Sequence, residues 1–334
     1  NGQFTVSLTN PSDQDTVVSY SVTGDAGTDD FTPLSGTVTI LAGETTATID
    51  VSVLDDNILE EAESVVVTLD GSTGDPDITI DTAASSSKVT IVDEDVAVLN
   101  LVATDSLGIE ATDNGQFTVS LTNPSDQDTV VAYSVSGEAT ADSDYTALTG
   151  TVIILAGETS AVIDVSVLED VVVEDNESVT VTLESFTGDP QKTMGATTDT
   201  VTIRDLDVAE VGIVILDGTA SEPGDNGQFA FSLSSPSDTD TVVNYSINSA
   251  VTSGEDYAPL TGTATILAGE VTTFVNVTVI DDALLEETET FTVTIDSVVG
   301  DADINIGAAN TGDISITDDD TATLSIAATD TDAA

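Results

Sequence analysis

Polar and apolar residues alternate along most of this chain. Every second residue is apolar from Phe4 to Leu8, and the segment from Ile49 to Val53 has the same period. Successive side chains of a β-strand point to opposite faces, so a period of two predicts strands with one buried face and one wet face. No apolar run approaches the roughly 20 residues that a membrane-spanning helix needs. The pattern therefore predicts an all-β protein with no membrane insertion.

The alternating segments return three times along the chain. The tetrapeptide Asn-Gly-Gln-Phe begins at residues 1, 114 and 226, and Leu-Ala-Gly-Glu begins at residues 41, 155 and 267. A period of about 112 residues is the length of a whole domain and not of a solenoid unit. We predict three tandem domains, called here the first, second and third repeat, at residues 1–95, 96–207 and 208–320.

The second repeat shows the complete set of strand patterns. Short strands separated by Gly, Asn and Pro turns are typical of a sandwich of two antiparallel sheets. We predict seven-stranded antiparallel β-sandwich domains of the immunoglobulin-like kind, and the first repeat lacks its first strand. The predicted strands A to G of the second repeat lie at residues 98–104, 117–121, 130–136, 150–155, 160–168, 178–184 and 200–204.

Charge changes the picture next. The 334 residues include 62 acidic and 3 basic side chains, a net charge of -59, yet 40% of the chain is hydrophobic. Disordered acidic segments lack such an apolar fraction, so the charge lies on folded domains. A field of this sign repels DNA, RNA and anionic lipid and attracts cations. We therefore expect no nucleic-acid partner and a role for divalent metal.

The residue types that are missing narrow the chemistry further. The sequence has no Cys and no His, so it offers neither disulfides nor the commonest transition-metal ligand and general base. Zinc, haem and iron-sulfur chemistry are excluded.

Loop parity gathers the acidic residues at one end of each sandwich. If successive strands run in opposite directions, the A–B, C–D and E–F loops and the segment after strand G share one end, called here the acidic pole. The carboxylates expected at the acidic pole of the third repeat are Glu222, Asp256, Asp281, Asp282, Glu286, Glu289, Asp318, Asp319 and Asp320.

So many like charges need a counter-ion. Two like charges about 4 Å apart repel by roughly 4 kcal/mol at an effective dielectric near 20, which is large against the stability of a small domain. Oxygen ligands without nitrogen or sulfur favour calcium or magnesium, and a cage built from several loops suits the tolerant geometry of calcium better than octahedral magnesium. The coordination number of calcium predicts about two to four ions at each pole. The B–C loops at 10–13, 123–126 and 235–238 are at the other end and are interpreted as turns.

Three motifs recur at equivalent places in every repeat. They are an Asp followed by an aromatic residue after strand C, an Asp-Asp-x-x-x-Glu-x-x-Glu segment after strand E, and an acidic triplet after strand G. In the second repeat Glu169 stands in place of the first Asp of the second motif. The third repeat is the fullest match. In the first repeat they contain Asp30, Asp55, Asp56, Glu60, Glu63, Asp93, Glu94 and Asp95. In the second repeat they contain Asp144, Glu169, Asp170, Glu174, Glu177, Asp205 and Asp207.

This combination resembles the Calx-beta domains of sodium-calcium exchangers, integrin β4 and large bacterial surface proteins. The resemblance covers nearly the whole chain and implies several calcium ions in each domain, held by the carboxylates of the three motifs. It also implies ligands from the A–B loop, at Glu110 and Glu222, and from the backbone carbonyls of Ile58, Val172 and Leu284.

Two repeats depart from the full pattern. The second has Leu206 inside its triplet and Arg204 just before it, which predicts fewer or weaker ions there. The first has no strand A and hence no A–B glutamate, so its site is incomplete unless another segment supplies that strand.

The two ends of the sequence are out of phase with the domains. Residues 1–95 start at strand B, and Thr321 to Asp330 matches strand A of a further repeat. The sequence has no initiator Met and no signal-like segment, as expected for a mature or excised piece. Residues 321–334 are thus either the start of a following domain in a longer array or a donor strand for a neighbouring subunit in a head-to-tail fibre.

These features favour a calcium-stiffened structural or adhesive repeat protein at the cell surface or outside the cell. We expect no enzyme, since aromatic residues are only 4% of the chain and Trp is absent, whereas sugar-cleaving sites need aromatic platforms. Two other classes stay open: a module whose loop tips bind a cell-surface receptor or glycan, and an intracellular calcium sensor. Expected partners are flanking repeats or other copies of the chain.

Overall fold

The structure is a computed structural model that describes residues 1–249, 253–327 and 329. Within these residues every regular element is a β-strand, as the alternating pattern predicts. The described part of the chain has no helix long and apolar enough to cross a bilayer. Parts of the segment 321–334 fall on residues 328 and 330–334, which lie outside the described residues.

The first repeat contains six strands in two sheets. One sheet pairs the first strand with the fourth, and the other has the order 3-2-5-6. The first of these strands corresponds to predicted strand B. The strands are β1 (Gly2–Ser7), β2 (Thr16–Gly24), β3 (Thr37–Ile40), β4 (Thr46–Val51), β5 (Glu63–Thr73) and β6 (Ser86–Ile91).

The second repeat is a complete sandwich of a four-stranded and a five-stranded sheet. Its strands are β7 (Ala97–Asp105), β8 (Leu107–Ile109), β9 (Gly115–Leu121), β10 (Thr129–Gly137), β11 (Thr151–Ile154), β12 (Ser160–Val165), β13 (Glu177–Phe186), β14 (Lys192–Met194) and β15 (Thr198–Arg204). The sheet orders are β12-β9-β7-β14 and β11-β10-β13-β15-β8.

The third repeat has the same two sheets in the same order. They are β21-β18-β16-β23 and β17-β24-β22-β19-β20. The strands are β16 (Ala209–Asp217), β17 (Thr219–Ser221), β18 (Gly227–Leu233), β19 (Thr241–Ser249), β20 (Thr263–Ile266), β21 (Thr272–Val277), β22 (Glu289–Val299), β23 (Ile304–Ile306) and β24 (Thr311–Thr317).

The all-β sandwich is confirmed, with two additions and one correction. The second and third repeats contain the seven predicted strands and two short ones, and these pair in parallel: β8 with β15 and β14 with β7, and likewise in the third repeat. Each short strand covers a sheet edge that would otherwise be open. Strand E ends at Val165 and not at residue 168, because the Leu168 amide turns to donate a hydrogen bond to the Asp144 carbonyl (2.9 Å).

Each repeat has its own hydrophobic core. In the second repeat, Leu99 and Leu101 of β7 face Leu121 and Val119 of β9 across the ladder, and all four side chains are buried. The third repeat adds a cluster of aromatic rings, in which Phe229 and Phe231 meet edge to face at 5.5 Å. Val211 and Ile213 of β16 are also buried in the third core, so strand A is a full member of the core in both repeats.

Consecutive repeats share core residues. Leu59 belongs by sequence to the E–F loop of the first repeat, yet it is completely buried in the core of the second. Val173 of the second repeat is buried in the third core in the same way. We call Leu59 and Val173 the joint residues. The repeats are thus joined by inserted side chains as well as by the chain itself.

The backbone fixes each joint residue in place. The Leu59 amide donates to the Pro124 carbonyl (2.9 Å), and the Asp126 amide donates back to the Leu59 carbonyl (3.0 Å). At the next joint, Val173 bonds the Pro236 carbonyl (2.9 Å) and accepts from the Asp238 amide (3.2 Å). At both joints the joint residue is therefore held by the B–C loop of the repeat that follows it.

Candidate metal sites at the acidic poles

The acidic pole of each repeat gathers carboxylates from separate loops. In every group below, one ligand oxygen from each of three residues lies within 4.8 Å of the other two. From the C–D and E–F loops these groups are Asp30, Glu60 and Glu63, and Asp144, Glu174 and Glu177. From the A–B loop and the other loops they are Glu110, Asp205 and Asp207; Glu222, Asp318 and Asp320; and Glu222, Asp281 and Asp319.

The first Asp of each acidic triplet ties two loops together. Asp205 accepts the amide of Glu174 (2.8 Å) through one oxygen and the amide of Asp207 (2.7 Å) through the other. Asp93 in the first repeat makes the equivalent pair of bonds, and so does Asp318 in the third. These bonds hold the segment after strand G against the E–F loop.

The E–F loop has a local turn of its own. The Asp170 carboxylate accepts the amide of Val172 (2.7 Å), and Asp56 and Asp282 bond Ile58 (2.7 Å) and Leu284 (2.6 Å) in the same way. An Asp that bonds the backbone two residues ahead is a common turn device.

The A–B glutamates are buried against the acidic triplets. Glu110 is only 4% exposed, and Glu222 only 6%. Burial, followed by the charge of Asp205, raises the pKa of Glu110 to about 8. Burial also raises the pKa of Glu222. A cation between these carboxylates would favour their charged forms and offset both pKa shifts.

The glutamates of the E–F loop are perturbed in the same direction. Burial and the neighbouring Asp144 raise the pKa of Glu177 to about 8, and burial with Asp144 and Asp170 raises that of Glu174 to about 7. In the first repeat, burial first and nearby carboxylates second raise the pKa values of Glu60 and Glu63 to about 7.

Several carboxylate oxygens at the poles are buried without a hydrogen-bond donor. Such oxygens cost free energy unless a proton or a cation compensates them. They belong to residues of the groups above or of the acidic triplets. They are Oε2 of Glu63, Oε2 of Glu177, Oδ2 of Asp207 and Oδ2 of Asp320. Hard anionic oxygens in this number fit calcium, which takes six to eight oxygen ligands.

Most remaining predicted ligands lie beside these groups. Burial and then Asp93, Asp55 and Asp56 raise the pKa of Asp95. Burial, then Asp205, Glu169 and Asp170 act likewise on Asp207. In the third repeat, burial with Asp256, Asp282, Glu289 and Glu222 raises the pKa of Glu286. Glu94 is exposed, as are the side chains of Ile58 and Leu284, and that of Val172 is half-buried.

The sequence did not point to two acidic residues near the poles. The B–C loops do turn as expected, but Asp126 of the second repeat lies close enough to raise the pKa of Glu60 in the first. Asp238 acts in the same way on Glu174 across the next joint. The threefold Pro-Ser-Asp sequence was the available signal. Each pole at a joint therefore includes one carboxylate from the following repeat.

The raised pKa values predict an unusual pH dependence. Without calcium, the folded chain holds more protons than the unfolded chain between pH about 4.5 and 8, so its stability is lost as pH rises through 7 to 8. We expect calorimetry of the calcium-free protein to give a higher unfolding midpoint at pH 6 than at pH 8.5. The difference should be about 4–8 °C for each kcal/mol by which protonation of the buried carboxylates raises the free energy of unfolding. A midpoint that rises with pH would contradict this.

Comparison with known proteins gives the family. The Calx-beta domain profile matches residues 1–95, 93–207 and 219–320. The chain is 26% identical over 322 residues to "Adhesion G-protein coupled receptor V1" of Danio rerio, which covers 83% of this chain and 5% of the receptor. The chain therefore spans a small part of that relative.

Solved structures are similar at low identity. The CBD12 crystal structure from CALX1.2 has 15% identity and a TM-score of 0.31, and it covers 66% of this chain and 98% of that chain. The apo-form Calx CBD1 domain has 18% identity and a TM-score of 0.29, with 33% and 99% covered. With three profile matches that span most of its length, the chain belongs to the Calx-beta domain family.

Proposed function

We propose that this chain is a calcium-stiffened structural or adhesive repeat protein that works outside the cell, with flanking repeats or further copies at its ends. Calx-beta domains are binding and regulatory modules, and we assign the chain no reaction. The observation that carries it is the position of the acidic poles: the E–F loop of the first repeat bears both the carboxylates of the pole and the joint residue Leu59.

Calcium at a pole would act on the joint through this loop. Glu60 directly follows Leu59, and its amide is bonded to Asp93 (3.1 Å). An ion held by Asp30, Glu60 and Glu63 would neutralise their repulsion and fix the loop that carries Leu59 into the next core. Without the ion, like charges on both sides of the joint repel, because Asp126 adds its charge from the second repeat. The joint would then loosen.

The proposed location of the chain rests on its net charge and on its similarity to a known receptor. A net charge of -59 needs abundant divalent cation to form close contacts, and calcium is abundant outside cells. A relative with 26% identity is named as an adhesion receptor. We therefore place the chain at a cell surface, where the exposed turns between strands D and E can contact a receptor or a glycan.

Scattering and ion counting test this proposal. We expect X-ray scattering in calcium to show an extended rod, and chelator to broaden the distribution of shapes. Native mass spectrometry should count about two to four ions at each complete pole. The second pole should hold fewer, since Leu206 lies 48% exposed in its triplet where the third repeat has Asp319. Scattering that chelator leaves unchanged would contradict the stiffening by calcium. Equal ion counts at all poles would contradict the weaker second pole.

A further inference from the structure

The first repeat has an open groove where the other two repeats have a strand. In the second and third repeats the inner strands β7 and β16 lie between neighbours on both sides. In the first repeat that place is empty and forms a groove of about 530 Å³. Its apolar lining includes Phe4, Val6, Ile78 and Ile80. The backbone of β1 therefore has one unpaired side, next to uncovered core residues.

The groove leaves the surrounding core incomplete. Val89 and Ile91 of β6 are only partly buried, whereas their counterparts Val201 and Ile203 in β15 are almost fully buried. Residues 78–80 form no strand, although the equivalent β14 and β23 pair with β7 and β16. One missing strand explains both differences. A strand placed in the groove would cover the β6 side chains and could pair with residues 78–80.

A segment of the same pattern lies unpartnered at the other end of the chain. Residues 321–327 form no strand, and Leu324 and Ile326 are fully exposed. Their counterparts in β7 are Leu99 and Leu101, which are completely buried. The small residue two positions before Leu324 is Ala322, at the place of the buried Ala97. The segment thus has the small, large, large apolar series that fills this place in the second repeat.

A second contact at the same pole is also unpartnered. Leu285 follows Asp281-Asp282 at the spacing at which Leu59 follows Asp55-Asp56, and so it occupies the position of a joint residue. It is 60% exposed, whereas Leu59 is buried. Leu284 beside it is 62% exposed. The third acidic pole therefore exposes both parts of a joint among the described residues, a segment with the pattern of strand A and an inserting side chain.

The first repeat retains the loop that receives a joint residue. The Ser125 carbonyl accepts the Gly157 amide (2.8 Å) in the second repeat, and the Ser12 carbonyl accepts the Gly43 amide at the same distance in the first. The loop of the first repeat thus keeps a hydrogen bond of the loop that holds a joint residue in the second. Pro11 and Ser12 also line the groove. Ser12 is partly exposed, whereas Ser125 is buried beneath Leu59.

We propose that the groove of the first repeat receives residues 321–327 of a second copy of this chain, while Leu285 of that copy docks at the loop of Pro11 and Ser12. The contact repeats the geometry of the two joints within the chain. It deepens the proposed function and rests on it, since it names the head-to-tail partner. Copies joined in this way would form a polar filament.

The register of the contact can be stated from the internal joints. Asn100 faces Ser120 between β7 and β9, and Gly212 faces Ser232 between β16 and β18. The equivalent pair between two copies is Ser325 with Ser7. Facing residues of an antiparallel pair are close enough for a disulfide, whereas residues displaced by two positions are not. The chain has no Cys, so engineered thiols report on this contact alone.

The test is a disulfide between copies. The variant Ser7→Cys with Ser325→Cys, oxidised in millimolar calcium, should give a ladder of linked dimers, trimers and longer species on a non-reducing gel. The matched variant Thr5→Cys with Ser325→Cys should give at least about tenfold less of the linked species. A synthetic peptide of residues 320–330 should suppress the ladder by filling the groove. The same peptide with Asp at positions 324 and 326 should not.

A second variant tests the docking of the joint residue. Leu285→Asp in the Ser7→Cys, Ser325→Cys background should reduce the ladder, and Phe274→Asp should not, since Phe274 is equally exposed but lies on the edge strand β21 away from the pole. Equal linking by both cysteine pairs, or no linking in either, would overturn the proposal and leave the groove to a flanking domain. If chelator changed the scattering but no ladder formed, only the proposed docking between copies would be contradicted. If a ladder formed but chelator left the scattering unchanged, only the proposed stiffening by calcium would be contradicted.

Discussion

Replacement of Leu59 by Ala is expected to lower the stability of the second repeat by about 2–5 kcal/mol, the usual cost of truncating a buried Leu, and that of the first repeat far less. The reason is that Leu59 lies in the core of the second repeat although its sequence position is in the first. Hydrogen exchange resolved by peptide should show lost protection in β7, β9 and β13. Loss confined to the first repeat would contradict this assignment.

The chain provides a matched control for this variant. Leu285 has the equivalent sequence position in the third repeat but is 60% exposed. Leu285→Ala should change stability by less than about 0.5 kcal/mol in dilute, monomeric protein. The comparison separates the effect of the inserted side chain from any general effect of Ala in the acidic loop.

Glu110→Gln is expected to change stability in opposite directions with and without calcium. Without calcium at pH 9, above the raised pKa of Glu110, the amide removes one buried negative charge and can donate to Asp205, so the second repeat should gain about 1–3 kcal/mol. With calcium, the loss of an anionic ligand should weaken ion binding at that pole at least about tenfold. The variant should therefore raise the unfolding midpoint in chelator and lower it in calcium.

An exposed glutamate of the same repeat serves as the control. Glu158 lies in the turn between β11 and β12, outside every carboxylate group described above. Glu158→Gln should change the free energy of unfolding by no more than about 0.5 kcal/mol in either condition. If Glu110→Gln lowered stability in both conditions, the glutamate would be a structural residue and not a metal ligand.

The sequence predicts the strands well because their alternation reflects burial directly. Phe117 and Val119 of β9 face the core while their neighbours do not, and the threefold repetition of the pattern removes chance matches. The short strands β8 and β14 were missed because three residues are too few to show a period. They depend on a neighbouring strand for their hydrogen bonds, which only the tertiary structure provides.

Loop parity brought acidic residues of separate loops to one pole, and the structure contains the resulting groups. It could not reveal which loops meet across a joint. Asp126 appeared as part of a turn, and it does form one, but its approach to Glu60 depends on how two domains pack. Leu59 likewise appeared as one apolar residue in an acidic loop. A pattern within one repeat carries no information on contacts between repeats.

The insertion of Leu59 and Val173 means that folding units and sequence repeats do not coincide. Each core after the first is completed by a side chain encoded in the preceding repeat, so a repeat cut out at its sequence boundaries would lose part of its own interior. The dependence also has a direction, since each repeat is needed by the one that follows it. Under tension, loss of one repeat would weaken its neighbour on the C-terminal side first, and unfolding would spread along the array in that direction.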